Sequence, residues 1–541
     1  MDHVEEYNKD PNPYNAVTMF CKGDLCQRVK LFCSFVVVTL LILVVFTGIS
    51  LGYCVLKVHP ALGFLIMFFC LTLLAYVEAL HYACVACEKW DMKVIGKNFP
   101  RALRCHALVD NPVKLKKFLV GRQFFVIFVV FLLAQLTAFP DMPSDFAGMP
   151  AAMTLVLLQT GLPGVALTLT YGQLISQIFV EQYPVQFLNL PGTEFVIRLS
   201  LFTENIGTCH WAWLLFHLNS WIWCRNVNAA HQTMSTTEND GAALHDADGE
   251  ASPTVKARGH DFDDGIQKAY SPKEVILEAI KYCWSAFITV GSIVLVFYGI
   301  SKQAYVLNVN SGAAFCIVFI DLAVLFYLEG LMICIVETQY WDPESWRDVY
   351  PRAYKLHKLL NKPDNIKRFI IGRQFCTVLT GFLLAQVFTL NKMENEWGWD
   401  PVLYFIVVKS GLIGVMIVLA HGQLMPELLA AEYPLRFMDM YGSYTISYIS
   451  LFFDAIGVWH HAWAVFYATR PFCCKAVMTG AEAEAKPAIL RVASAELLAA
   501  TGSPLGRGAP SKQSSLHVPI LGAPKSAAPG SKAQVAGANK V

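Results

Sequence analysis

Apolar residues dominate this chain in ten blocks, at 31–56, 61–87, 119–139, 151–180 and 195–223, then 277–300, 311–337, 369–391, 401–431 and 443–469. A run of roughly 20 apolar residues crosses a bilayer core as a helix, so each block predicts a transmembrane helix. The polar stretches between and around them set the divisions. Residues 1–30 read as an N-terminal tail, and 31–223 as a first five-helix unit. An acidic flexible linker at 224–276, containing STTENDGAALHDADGEASP, leads to a second five-helix unit at 277–469. After Arg470 the chain turns to Ala, Gly, Pro, Ser and Lys, and 470–541 reads as a disordered tail.

The two units are copies. FLVGRQFFVIFVVFLLAQ at 118–135 and FIIGRQFCTVLTGFLLAQ at 369–386 share ten of eighteen positions, 251 residues apart. At that offset Tyr76 and Glu78 fall on Tyr327 and Glu329, Trp90-Asp91 on Trp341-Asp342, and His106 on His357. Beyond the third block the offset becomes 250. Gly172-Gln173-Leu174 then meets Gly422-Gln423-Leu424, Glu204 meets Asp454, and Ala212-Trp213 meets Ala462-Trp463.

Five is an odd number, so a second copy joined without an extra span enters the membrane the other way up. The fold class expected is an all-α polytopic membrane protein, about ten transmembrane helices as two five-helix inverted repeats. Such repeats build secondary transporters, whose site lies between the copies near the midplane. A receptor or scaffold has no comparable need for the inversion. The basic loop 88–118 and the basic C-terminal tail favour cytoplasmic N- and C-termini, although loop 338–368 is also basic. The membrane is the plasma membrane or that of an intracellular vesicle.

Composition agrees. Charged residues make up 15% and hydrophobic ones 55% of 541 residues, with a mean hydropathy of +0.44, against about 25% charged for a soluble chain. The start, MDHVEEYNKD, is acidic and polar, so the first apolar block is expected to stay as an anchor rather than leave as a signal peptide. A net charge of +1 and the lack of a basic, aromatic-interleaved surface argue against nucleic acid. The sixteen cysteines are scattered, mostly within apolar blocks, which suits helix packing rather than a disulfide framework. Cys84 and Cys87 form a lone CxxC without further metal ligands. Cys473 and Cys474, just past the last block, are candidate palmitoylation sites.

Polar groups inside a membrane are costly, so those kept in both copies are functional candidates. Glu78 and Glu329 could neutralise a cation, accept hydrogen bonds from a hydroxylated solute, or bond a neighbouring helix. In Gly121-Arg122-Gln123 and Gly372-Arg373-Gln374, glycine permits close backbone approach. The arginines either snorkel to the interface or join a site. The glutamine amides both donate and accept, which suits a neutral hydroxyl-bearing solute. GLPG at 161–164 and GLIG at 411–414 mark either broken helices or kinks. Downstream, Gln173, Ser176 and Gln177 share a face, answered by Gln423, Pro426 and Glu427. Glu204 and Asp454 are further candidates for a cation path. Their six-residue spacing to His210 and His460 puts carboxylate and histidine on different helix faces, so no metal site is expected. No phosphate-binding loop, nucleotide motif or nucleophile constellation is present, so neither ATP drive nor enzyme activity is expected.

Two five-helix halves, each with a GRQ motif after a glutamate-bearing helix, resemble the silicon transporter family of diatoms and other eukaryotes. KFLVGRQFF, LLQTGLPG, LTYGQL and QYPVQFLNL carry the likeness, which covers about 60–470. The resemblance implies a ten-helix carrier of uncharged silicic acid driven by the sodium gradient. It places Gln123 and Gln374 against substrate, with Glu78 and Glu329 at the site or on the cation path. The family's Glu-Gly-x-Gln ahead of each GRQ reads Glu78-Ala79-Leu80-His81 in one half and Glu329-Gly330-Leu331-Met332 in the other. The partners expected are silicic acid, sodium ion and the lipid bilayer, and the pattern also permits a homo-oligomer. No cofactor or resident metal is expected. The rival functions are carriage of boric acid, germanic acid or a polyol, uncoupled facilitation, and a non-transporting membrane sensor.

Overall fold

The computed structural model describes residues 25–465 except 89–91, 93–95, 97, 144–147, 149, 221–271, 339–340, 363–364, 394, 396–397, 458–459 and 463–464. Residues 1–24, the C-terminal tail, most of the linker, Trp90-Asp91, Trp463, Cys473 and Cys474 therefore lie outside the described residues, while 25–30, expected as tail, open the first helix. Among the described residues every regular element is a helix. Helix α1 is Leu25–Ser50, α2 Pro60–Cys87, α3 Pro100–Leu108 and α4 Pro112–Thr137. The corresponding helices of the second unit are α5 Pro272–Ser301, α6 Ser311–Thr338, α7 Pro351–Leu360 and α8 Asn365–Phe388. Helix α5 starts a few residues ahead of the apolar block because PKEV can open a helix with proline in its first turn.

Local chemistry sets the helix starts. Proline occupies the first turn of α2, α3, α4 and α7, where its missing N–H is no loss. Asn111 Oδ1 caps α4 by accepting from the Lys114 N–H at 2.8 Å. His59 Nδ1 accepts from the Ala61 N–H at 3.3 Å ahead of α2.

Among the described residues seven helices are long and apolar enough to cross a membrane: α1, α2, α4, α5, α6, α8 and Leu412–Glu432. The inner ones are told apart by burial: 72% of the most apolar stretch is buried in α4 and in α8, against 22% in α1 and 33% in α2. The outer faces carry Phe32, Phe35, Leu40, Phe68, Phe69 and Phe319, all exposed, as a surface against acyl chains would.

The fourth, fifth, ninth and tenth blocks are interrupted, the ninth just ahead of its Leu412–Glu432 helix. The fourth block breaks at Thr160-Gly161, where Gly161 takes φ +73°, and its copy breaks at Ser410-Gly411 with φ +78°. Each break lies between a short π-helix (Leu155–Gln159 or Phe405–Lys409) and an α-helical turn (Leu162–Leu167 or Leu412–Ile417). A second π-helix follows, Thr168–Leu174 or Val418–Leu424, and then α-helix again, Ile175–Gln182 or Met425–Glu432. Left-handed φ at a non-terminal glycine ends the helical hydrogen bonding, so these are broken helices rather than kinks. The fifth block, expected as one helix, is two: Thr193–Asn205 and residues 210–220, parted at Gly207 with φ +90°. The last block repeats this with Ser443–Ile456 and Gly457 at φ +78°.

The units lace together at these breaks. The Trp211 N–H donates to Ser285 Oγ at 2.8 Å, and Ser285 Oγ donates to the Thr208 carbonyl at 2.9 Å. In the copy the His461 N–H donates to Ser34 Oγ at 3.1 Å. Each unit's fifth block is thus bonded to the first helix of the other unit.

Candidate functional site

The GRQ motifs meet between the units. Glycine makes the approach possible: a Cβ on Gly121 would overlap the Ser200 carbonyl, and one on Gly372 the Ser450 carbonyl. Helices α4 and α8 therefore press backbone to backbone against the fifth block of their own unit. This fixes the direction of the two residues that follow.

Those residues build the same chain of bonds twice. Arg373 Nη1 pairs with Glu329 Oε2 at 2.9 Å, and its Nη2 donates to Gln374 Oε1 at 2.7 Å. Gln374 Nε2 then crosses to the other unit and donates to Gln173 Oε1 at 2.8 Å. In the copy Arg122 Nη1 lies 3.4 Å from Glu78 Oε1, Arg122 Nη2 donates to Gln123 Oε1 at 2.6 Å, and Gln123 Nε2 donates to Gln423 Oε1 at 2.5 Å. None of these eight residues is more than 6% exposed. A buried ion pair holds its charges against a large desolvation cost. The arginines consequently do not snorkel: each is sealed in and neutralised by a glutamate. The order Gly-Arg-Gln is explained as close approach, then counter-charge, then a cross-unit amide.

A second pair of glutamines, closing the repeated run, works the other side of the same helices. Gln135 Nε2 donates to the Ser410 carbonyl at 2.6 Å, at the break of the other unit. Gln386 faces the opposite break, with its Nε2 3.5 Å from where a Cβ on Gly161 would stand, and both its amide atoms are buried without a partner. Sequence reasoning noted these glutamines only as the end of the run; their identity in both copies was the available signal.

Four candidate carboxylates all have basic partners. Besides Glu78 and Glu329, Glu204 Oε2 lies 3.6 Å from Lys117 Nζ, and Asp454 Oδ2 accepts from Arg368 Nε at 2.9 Å. Lys117 and Arg368 are themselves repeat equivalents. His210 turns away from Glu204 and meets Glu278 at 3.1 Å. Among the described residues no group of three or more His, Cys, Asp or Glu could hold a metal ion.

The sequence model of the family described as Silicon transporter matches residues 24–235 and 273–492, most of the chain. The chain belongs to the silicon transporter family. Membership marks it as a multi-pass membrane transporter, with silicic acid as the indicated cargo. No curated protein and no solved structure matches it.

Two residues of this silicon transporter acquire meaning only in three dimensions. His81 stands three residues beyond Glu78 on α2, on the same helix face as the Glu78–Arg122 pair, and so borders the same centre. Glu427, which the sequence shows only as part of a polar face, is reached by the charges of Glu329, Arg122, Arg373 and Glu78. Asp321, one acid in the apolar helix α6, has Oδ2 buried without a partner. Sequence reasoning passed over it, although an acid in such an apolar run was a visible signal.

Proposed function

We propose that this protein carries uncharged silicic acid across a membrane by alternating access, between two units inserted in opposite orientations and coupled to a sodium gradient. The observation that carries the reading is the reciprocal pair of amide bridges, Gln123 to Gln423 and Gln374 to Gln173. Each bridge joins one unit to the other, and each uses a group that gives and accepts hydrogen bonds. Si(OH)4 offers four hydroxyls and no charge at neutral pH. To leave water it must exchange its hydrogen bonds for protein ones, and each buried bond left unmade costs about 1–3 kcal/mol.

The bridges supply what such a solute needs. Gln173 and Gln423 use Oε1 in the bridge, and among the described residues their Nε2 groups make no hydrogen bond. A solute that inserts at a bridge finds N–H donors on one side and an amide oxygen on the other. The neutralised Arg–Glu pairs hold the amides in place without presenting net charge to a neutral cargo. Opening one bridge while the other stays closed gives access from one side at a time, which fits the ten-span, inverted-repeat reading with both termini cytoplasmic. We take Gln123, Gln374, Gln173 and Gln423 as the substrate-binding groups. Gly121, Gly372, Arg122, Arg373, Glu78 and Glu329 position them.

The test is uptake of isotope-labelled silicic acid by liposomes holding the purified full-length chain. Saturable uptake that labelled boric acid or a polyol does not reproduce supports the reading. Equal uptake by protein-free liposomes overturns it.

A further inference from the structure

Two copies of one unit should give a centre of twofold charge symmetry, and this one has an odd charge. Glu78 with Arg122 and Glu329 with Arg373 are two neutral pairs. Glu427 adds one carboxylate, and its repeat equivalent is the uncharged Gln177. With Glu427 ionised and His81 neutral, the centre carries a formal charge of −1.

Glu427 is placed differently from every other acid considered as a cation ligand. Glu78, Glu329, Glu204 and Asp454 each have a Lys or Arg within 4 Å. Among the described residues Glu427 has no ion pair and no hydrogen bond, yet it is only half-buried. It stands one helical turn beyond Gln423, the acceptor of a cross-unit bridge, on the same face. All four charges of the network act on it. Asp321 Oδ2 is also buried without a partner, but Asp321 stands eight residues before Glu329 on α6 and among the described residues makes no hydrogen bond or ion pair with the network. In the first unit Gln177 Nε2 is buried without a partner, so this position is left polar and unspent on both sides of the centre.

We propose that Glu427 takes up the single monovalent cation, Na+ or H+, whose gradient drives the cargo. The inference rests on the transport reading above and moves the cation from Glu78 and Glu329 to a site in the second unit alone. With solute seated at the bridge and water displaced, an uncompensated carboxylate beside it is costly at membrane depth, so the loaded centre changes its exposure only when a cation offsets Glu427; the solute-free centre, left hydrated, returns carrying its negative charge. With the cation bound, the centre is neutral and can change its exposure together with an uncharged solute. One carboxylate per chain implies one cation per transport cycle, and the cycle then moves net positive charge.

Two measurements test this. The first uses the purified full-length chain in detergent without silicic acid, comparing thermal unfolding in sodium chloride with choline chloride, and across a pH series. Wild type should be stabilised by sodium, or by acid if the cation is a proton, and Glu427→Gln should lose that response. The second uses liposomes with an imposed sodium or pH gradient. Wild type should accumulate labelled silicic acid above the external level, and Glu427→Gln should not. Should Glu427→Gln fail to fold, Glu427→Asp should keep the response with an apparent cation affinity weakened about tenfold. A Glu427→Gln protein that responds to cation as wild type does, or a Glu427→Asp protein with wild-type cation affinity, overturns the assignment. A wild type unresponsive to both cations also overturns it. Failure of silicic acid uptake alone sinks the transport reading and leaves the unfolding measurement to decide Glu427.

Discussion

Gln123 and Gln423 stand 300 residues apart in the chain and share a hydrogen bond of 2.5 Å, Nε2 donating to Oε1. Gln374 and Gln173 repeat the contact at 2.8 Å. The two units are thus held to each other by the same groups that would meet the cargo. A cargo that inserts at a bridge therefore loosens the contact between the units, which ties occupancy to movement.

Replacing Gln123 or Gln374 by alanine should weaken apparent silicic acid affinity by roughly one to two powers of ten, since about 1.4 kcal/mol is tenfold. Glutamate at either position should be comparably harmful, because it loses donors and adds charge beside a neutral solute. The bridge makes a stricter demand. Gln123→Ala and Gln423→Ala act on one contact, so their effects should fall short of additive, whereas Gln123→Ala and Gln173→Ala should add. Half-saturation of uptake in the four single and two double mutants decides it. Strict additivity across the Gln123–Gln423 pair would count against the bridge.

The buried pairs predict an order of damage. Glu329→Gln leaves the Arg373 charge sealed in the protein without its counter-ion, at a cost of about 3–5 kcal/mol. Glu78→Gln removes a looser partner, 3.4 Å from Arg122 rather than 2.9 Å, and should cost less. Thermal unfolding of the purified variants, followed by size-exclusion chromatography, reads the order directly. Equal melting temperatures for wild type and Glu329→Gln would show that Arg373 finds another partner.

How much of this could be read from the chain follows from what a repeat reveals. The offset of 251, then 250, shows which residues are equivalent, and from it Glu78, Arg122 and Gln123 could be picked out with their copies. Equivalence does not say which residues touch. Gln123 bonds Gln423, the copy of Gln173, and not Gln374, because the contact joins α4 of one unit to the broken helix of the other. The sequence leaves the arginines open between interfacial anchor and site because hydropathy shows only that a charge stands near a helix start. Their burial depends on the close approach that Gly121 and Gly372 permit to Ser200 and Ser450, a tertiary fact. GLPG marks a break or a kink at Gly161, whereas the break at Gly207 sits in an apolar block with no proline to mark it. The mismatch of Gln177 with Glu427 was visible in the offset. Its meaning needed the four charges around Glu427.

Gly121→Ala and Gly372→Ala should abolish folding or surface expression, since the new methyl overlaps a backbone carbonyl that cannot rotate away. Gly381, on the same helix as Gly372, provides the control. A Cβ there would meet Val130 Cγ1 at 3.5 Å, an ordinary contact, so Gly381→Ala should express and transport. Expression yield and monodispersity of the three variants separate close packing from a general dislike of alanine in these helices.

Orientation supports or removes the alternating-access reading, and two equivalent surface residues test it. Arg104 on α3 and Lys355 on α7 occupy the same position in the two units, and both are exposed. If the units are inserted in opposite senses, these positions lie on opposite sides of the membrane. The rule of positive cytoplasmic loops favours the 88–118 side, yet 338–368 is also basic, so charge alone gives the second unit no clear sense. Insertion in opposite senses needs an odd number of crossings before residue 338, so the interrupted fourth and fifth blocks must either both complete their spans or both turn back. Arg104→Cys and Lys355→Cys, placed singly in a background cleared of exposed cysteines, should label with a membrane-impermeant maleimide from opposite faces in sealed vesicles. Labelling of both from the same face would show the two units in parallel, and a site opened alternately by an inverted pair would have no basis.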